Sequence, residues 1–223
     1  MNSIRIAIVE DDPDWIKAMT SYLNQEDDLM VVGAAANRRE AAKLAETLDF
    51  DVVLMDICLG EGKADGIYAA MDMLDVREMK VIMLTSLEDE ETIRQSFTAG
   101  AIQYVIKTDY RSLPETIRSV CRSPRPMEVL LNEFARLKRE EQLKPLTPAE
   151  REVFEMLEQG YSHSQIGQKL YKAESTLKNQ INKMLKKLGV KSSKEAVEKV
   201  RRKGLAAKPV EDGTAARSSG KAR

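Results

Sequence analysis

The sequence predicts an α/β domain built on a doubly wound, five-stranded parallel sheet, followed by a linker helix and an all-α domain of four helices. Three observations carry this. In the first half, short Val/Ile/Leu/Met runs alternate with helix-like stretches, the pattern of βαβ units whose strands lie parallel. From Leu146 onward only helical periods appear. Between these regions the charge changes sign. Residues 1–122 hold 13 basic and 23 acidic side chains, and residues 123–223 hold 22 and 13, so a formal net charge of −1 conceals an acidic half joined to a basic one.

Strands are expected near 4–9, 29–34, 51–55, 80–84 and 102–106, with helices near 13–25, 38–48, 66–76, 89–98 and 112–122. The central strands are near-continuous apolar runs, as burial on both faces by crossover helices requires. Ser123, Pro124, Arg125 and Pro126 interrupt the pattern. Two prolines so close end one helix and hinder another until they are passed, which sets the first domain at 1–122. In the linker, 123–145, Met127 to Gln142 reads as an amphipathic helix with Met127, Leu130, Leu131, Phe134, Ala135 and Leu137 on one stripe; it can pack on either domain or on a second copy of itself. Within 146–204, Thr147 and Pro148 start a helix that runs to Glu158 and ends at Gly160. Ser162 with Gln165 fits a capping box for a short helix through Leu170. A third helix runs from Ser175 to Leu188 and stops at Gly189, and a fourth spans Lys194 to Arg202. Residues 205–223 have no apolar period and are expected to be disordered.

A chain of 223 residues with 43 % apolar composition can support two ordinary cores. No basic-plus-apolar signal segment precedes Glu10, and no apolar run approaches the roughly 18 residues needed to span a bilayer. The expectation is a cytoplasmic protein that does not engage membrane. Cys58 and Cys121 are too few and too isolated for a disulfide framework or a Cys-rich zinc site, so both are read as reduced thiols.

Glu10, Asp11, Asp56, Thr85 and Lys107 each follow or close an expected strand. A parallel sheet brings these carboxyl ends to one edge, where open α/β sheets bind ligands at the point of strand-order reversal. Three carboxylates, a hydroxyl and an ammonium at one edge describe a site for Mg²⁺ and a phosphoryl group. With these five positions in this order, residues 1–122 resemble the receiver domain of two-component response regulators, whose sheet is flavodoxin-like. The resemblance implies that Asp56 is the phosphoacceptor. It also implies that Asp11 and Asp56 are carboxylate ligands of Mg²⁺, that Glu10 acts mostly through water and that the Cys58 carbonyl completes the protein's share. Lys107 and Thr85 would contact phosphoryl oxygens, and Tyr104 would be an aromatic switch that turns inward as Thr85 moves.

Nearby residues have plainer readings. Asp12 and Asp14 flank Pro13 as ordinary helix-start chemistry, and Trp15 reads as a packing residue of the first helix rather than a ligand contact. An EF-hand lacks its later Gly and Glu. The chain departs from the family in two places: the loop from Leu59 to Gly66 is longer than usual, and Thr108 stands where Pro commonly follows the lysine, which leaves the geometry of that peptide bond open.

In the basic half the carrying residues are Leu146-Thr147-Pro148-Ala149-Glu150-Arg151-Glu152, Gly160, Gln165-Ile166-Gly167 and Glu174-Ser175-Thr176-Leu177-Lys178. They resemble the LuxR-type, or NarL-like, helix-turn-helix DNA-binding domain. From Gln159 to the end there are 16 basic and 5 acidic residues, a field suited to a polyanion. Helical period buries Leu177, Ile181, Met184, Leu185 and Leu188 and leaves a polar face outward. The resemblance places this helix in the major groove, with Lys178, Asn179 and Asn182 at bases and Ser175, Thr176, Lys183 and Lys187 at phosphates. Gln180 and Gly167 stand where many relatives have His and Ala. His163, the only histidine, lacks neighbours that would make a metal site and reads as a surface or capping residue.

The reading is a transcription factor and not an enzyme: a sensor histidine kinase phosphorylates Asp56, and this controls homodimerisation and binding to double-stranded promoter DNA. A haloacid-dehalogenase-like phosphatase would need a second Asp two residues after the nucleophile, where Cys58 stands. The alternative is a pseudo-receiver with protein- or RNA-binding output independent of phosphorylation.

Overall fold

The computed structural model describes residues 3–60, 64–122 and 125–202. Five parallel strands, β1 (Ile4–Val9), β2 (Leu29–Ala35), β3 (Val52–Met55), β4 (Lys80–Thr85) and β5 (Gln103–Ile106), form one sheet in the order β2-β1-β3-β4-β5. The chain leaves β1 toward β2 and returns to its other side as β3, so the order reverses between β1 and β3.

Alternation along each strand sorts the side chains onto two faces. Ile6, Ile8, Val52, Leu54, Ile82 and Leu84 pack with Met19 and Leu23 of α1 (Pro13–Leu23) and with Leu113 and Ile117 of α5 (Leu113–Arg122). Ala7, Val9, Val53, Met55, Val81 and Met83 pack against α2 (Arg38–Thr47), α3 (Asp65–Val76) and Ala99 of α4 (Glu90–Ala99). Asp12 caps α1 by accepting from the amides of Asp14 and Trp15, the helix-start role its place before Pro13 predicts.

Two segments differ from expectation. A 3-10 turn, Lys107–Ser112, separates β5 from α5; so short a turn leaves no apolar period to read. The linker helix α6 spans Arg125–Leu143 and takes Pro126 into its first turn, where a missing N–H has no helical partner to lose. No described peptide bond is cis, so the Lys107–Thr108 bond is trans. Residues 61–63 of the long loop and the tail from 203, with its expected disorder, lie outside the described residues.

The helical half comprises α7 (Pro148–Glu158), α8 (His163–Lys169), α9 (Glu174–Leu188) and α10 (Ser193–Arg201) around a core of Val153, Phe154, Ile166, Leu177, Ile181, Met184 and Val200. Both expected caps form as capping boxes, Thr147 with Glu150 and Ser162 with Gln165. An ion-pair network joins the halves. Asp72 of α3 meets Arg38 at 2.5 Å and Arg202, beyond the end of α10, at 2.9 Å, and Asp75 meets Arg201 at 2.9 Å.

Candidate functional sites

The carboxyl edge of the sheet gathers four of the five strand-end residues into one charged cluster. Glu10 and Asp11 follow β1, Asp56 follows β3 and Lys107 follows β5. Each of the three acids offers an oxygen within 4.8 Å of the others. Lys107 Nζ lies 2.6 Å from Glu10 Oε2 and 2.8 Å from Asp56 Oδ2. Asp56 is 6 % exposed, and its Oδ1 accepts from the amide of Ile57 at 2.7 Å. The Cys58 amide approaches the same oxygen at 3.4 Å, and Asp11 Oδ2 accepts from the Gly60 amide at 2.9 Å. An oxygen-only donor set of this kind suits a hard divalent cation such as Mg²⁺.

The loop after β3 leaves little room. A Cβ built on Gly66 would stand 1.7 Å from the Asp56 carbonyl oxygen, so only glycine lets the first turn of α3 lie on the backbone of the acidic edge. The Gly66 amide donates to the Ile57 carbonyl at 2.9 Å.

Burial pushes the Glu10 carboxyl above the usual carboxylate range, and the hydrogen bond from Lys107 only partly offsets it. Burial works against the Lys107 charge as well, but the hydrogen bonds to Asp56 and Glu10 outweigh it and hold the ammonium above its ordinary value. Burial, and then the negative field of Asp56, raise the Cys58 thiol; Cys58 and Cys121 are both free.

Thr85 and Tyr104 meet at a residue that sequence reasoning missed. The Leu87 amide points to Thr85 Oγ1 at 3.4 Å, and the Tyr104 hydroxyl donates to the Leu87 carbonyl at 2.7 Å. Tyr104 is already half-buried against Leu87. Burial, then the charges of Asp89 and Asp56, push its phenol up to about 12, so it is a donor at neutral pH. Trp15 packs under the sheet as expected, and its ring also lies 5.3 Å from the Lys107 ammonium.

In the helical half, α8 and α9 border a groove of about 930 Å³ lined in part by Lys178 and Asn182. Ser175, Thr176, Lys178, Asn179, Asn182 and Lys183 are exposed along α9. Lys187, expected at a phosphate, is exposed as well, and its Nζ pairs with Glu150 Oε2 at 2.6 Å. Gln180 bridges α9 to the turn before it and to α7, accepting from Lys172 at 2.9 Å and donating to the Ala149 carbonyl. His163 is exposed and lies 3.2 Å from Ser193 Oγ.

Residues 6–118 match the response regulator receiver domain family, and residues 144–200 match the luxR family of bacterial regulatory proteins. The response regulator protein VraR of Staphylococcus aureus is 29 % identical over 200 residues, 87 % of this chain and 95 % of that protein. The uncharacterized transcriptional regulatory protein YxjL of Bacillus subtilis is 28 % identical over 218 residues, 92 % of this chain and 98 % of its own length. A LuxR-family response regulator structure from Aurantimonas superposes with a TM-score of 0.50 at 26 % identity, covering 53 % of this chain and 85 % of that one. The RcsB response regulator of Salmonella typhimurium gives 0.50 at 20 % identity over 89 % of this chain and 98 % of that one, a likeness of fold.

Proposed function

The chain belongs to the response regulators, transcriptional regulators in which a receiver domain is joined to a LuxR-type DNA-binding domain, and from that premise we propose that Asp56 accepts a phosphoryl group from a sensor histidine kinase. The modification then governs homodimerisation and binding to promoter DNA. Residues 1–122 receive the signal, 123–145 connect, and 146–204 deliver it. The observation that carries the reading is the buried Asp56 carboxylate, with Glu10 and Asp11 beside it and the Lys107 ammonium at 2.8 Å.

Glu10, Asp11 and Asp56 would hold Mg²⁺, with the Cys58 carbonyl as a further ligand. Bound there, Mg²⁺ supplies positive charge against the incoming phosphoryl oxygens. An Asp56 oxygen forms a bond to phosphorus as the P–N bond to the kinase histidine breaks, and the imidazole leaves with the electron pair and takes up a proton. Lys107 holds a second positive charge beside Asp56. The Thr85 hydroxyl turns from the Leu87 amide to donate to a phosphoryl oxygen, and the Leu87–Tyr104 contact readjusts with it.

Output lies on α9. Lys178, Asn179 and Asn182 face bases, and Ser175, Thr176 and Lys183 face phosphates; Lys187 supports the helix. Among the described residues no helix is long and apolar enough to cross a membrane, and we place the protein in the cytoplasm, where kinase and promoter meet it.

The test is incubation with a small phosphodonor and Mg²⁺, followed by intact mass. One acid-labile phosphate is expected, absent in Asp56→Asn and absent with excess chelator. Uptake by Asp56→Asn would overturn the assignment.

A further inference from the structure

We infer that Trp15 is a positioning residue for Lys107: the face of its indole ring holds the ammonium at the acceptor pocket when the carboxylates beside it are engaged elsewhere. The inference rests on the proposed acceptor role of Asp56.

Lys107 Nζ stands 5.3 Å from the Trp15 ring centroid, inside the roughly 6 Å within which a cation is attracted by an aromatic face. The same ammonium is drawn by Glu10 at 2.6 Å and Asp56 at 2.8 Å. Those two attractions are conditional. Both carboxylates belong to the set that would hold a divalent cation, and Asp56 would also carry the phosphoryl group, so the ammonium must give up the geometry it has now. The ring attraction is independent of both events because an indole neither titrates nor ligates a hard cation.

The choice of residue points the same way. Trp15 Nε1 is buried without a hydrogen-bond partner among the described residues, a cost that Phe or Leu would not incur in the same gap. Tryptophan has the strongest cation-binding face of the aromatic side chains, which gives that cost a return at this position.

Trp15 is held from two sides. Its backbone amide donates to Asp12 Oδ1 at 3.3 Å in the cap of α1, directly after Glu10 and Asp11. The ring meets Tyr110 edge-on at 6.2 Å, and Tyr110 meets Tyr22 edge-on at 5.4 Å. Tyr110 lies in the 3-10 turn that Lys107 begins. The strand end that carries the acids therefore anchors the Trp15 backbone, and the turn that carries the lysine packs on its ring.

Trp15 is the only tryptophan of the chain, so its emission reports on the surroundings of this one ring. Full-length protein is examined without phosphodonor, as native and Lys107→Met forms, and then with acetyl phosphate and Mg²⁺, following emission and intact mass together. Three outcomes are expected. Emission differs between native and Lys107→Met at rest. It changes in the native chain as phosphate accumulates. The phosphorylation rate falls in the order native, Trp15→Phe, Trp15→Leu, by about 2- to 30-fold at the last, while the thermal midpoint does not follow that order. Identical resting emission in native and Lys107→Met, or equal rates in native and Trp15→Leu, would overturn the inference while a phosphorylated native mass left the acceptor role standing. A native chain that takes up no phosphate would overturn the acceptor role and this inference with it.

Discussion

Lys187, near the end of α9, sets its Nζ 2.6 Å from Oε2 of Glu150 at the start of α7, a carboxylate only 5 % exposed. The same Oε2 accepts from the Thr147 amide at 2.8 Å. One carboxylate thus completes the cap of α7 and fastens the far end of the helix proposed to face DNA. Lys187→Ala should lower the stability of the helical half by about 1–3 kcal/mol, because a largely desolvated acceptor loses its charged partner. Urea unfolding checks the loss. Lys183, exposed on the same helix, gives the contrast: Lys183→Ala should weaken binding to all duplexes and shallow the slope of log affinity against log salt by about 1. An unchanged unfolding midpoint in Lys187→Ala, with a slope as shallow as that of Lys183→Ala, would return Lys187 to the phosphate-contacting set.

The same pair has a pH signature. Burial opposes the charge of Glu150, but hydrogen bonds from Lys187 and Thr147 outweigh it and hold the carboxyl below its ordinary 4.5. Its folded pKa therefore lies under the unfolded one. The stabilisation is fully present above the unfolded value and is lost as pH falls through the folded value. The difference in unfolding free energy between native protein and Glu150→Gln should be constant from neutrality to about pH 5 and shrink at lower pH. A difference that widened on acidification would contradict the sign.

Base reading and phosphate contact are expected to separate on α9. Lys178→Ala or Asn182→Ala should cost roughly 1–3 kcal/mol on the preferred site and less on random duplex. Competition titrations at several salt concentrations decide this, and equal losses on both DNAs would mean that these side chains do not read bases.

Asp72 is the hinge of the contact between halves, shared by Arg38 and by Arg202, which is 7 % exposed. Asp72→Ala should free the halves from their mutual orientation, seen as a larger radius of gyration in solution scattering and faster protease cleavage in the linker. Asp75→Ala removes a pair whose side chains are 38 % and 47 % exposed and should change neither measurably. Indistinguishable scattering from native protein and Asp72→Ala would show that the linker helix alone sets the orientation.

The strands and the acidic edge were legible because both follow from short-range pattern. An apolar run such as Val81–Leu84 states its own burial, and the residue after a parallel strand has one place to go. Helical period also puts Lys187 outward, where it is exposed, but it says where a side chain starts and not how far a four-carbon stem bends back to Glu150. Leu87 carried no signal, because its role is played by backbone atoms that every residue has. Trp15 was read as packing, which its burial supports; its second contact depends on a lysine 92 positions away. The Asp72–Arg202 pair joins positions far apart in the chain and needed the two halves placed together. Pro126 misled because its cost depends on which turn of a helix it occupies.

Leu87 gives the acceptor edge a property that neither Thr85 nor Tyr104 has alone. The Leu87 amide is tied to the hydroxyl that would meet the phosphoryl group, and its carbonyl to a phenol half-open to the surface. Coupling through one residue is reciprocal in free energy. A protein that bound the outer face of Tyr104 and favoured one setting of Leu87 would change how tightly the inner edge keeps its phosphoryl group, by the same factor with which the phosphoryl group changes that protein's affinity. The receiver would then be a balance as much as a relay, with what docks on its surface setting how strongly the phosphorylated state is favoured.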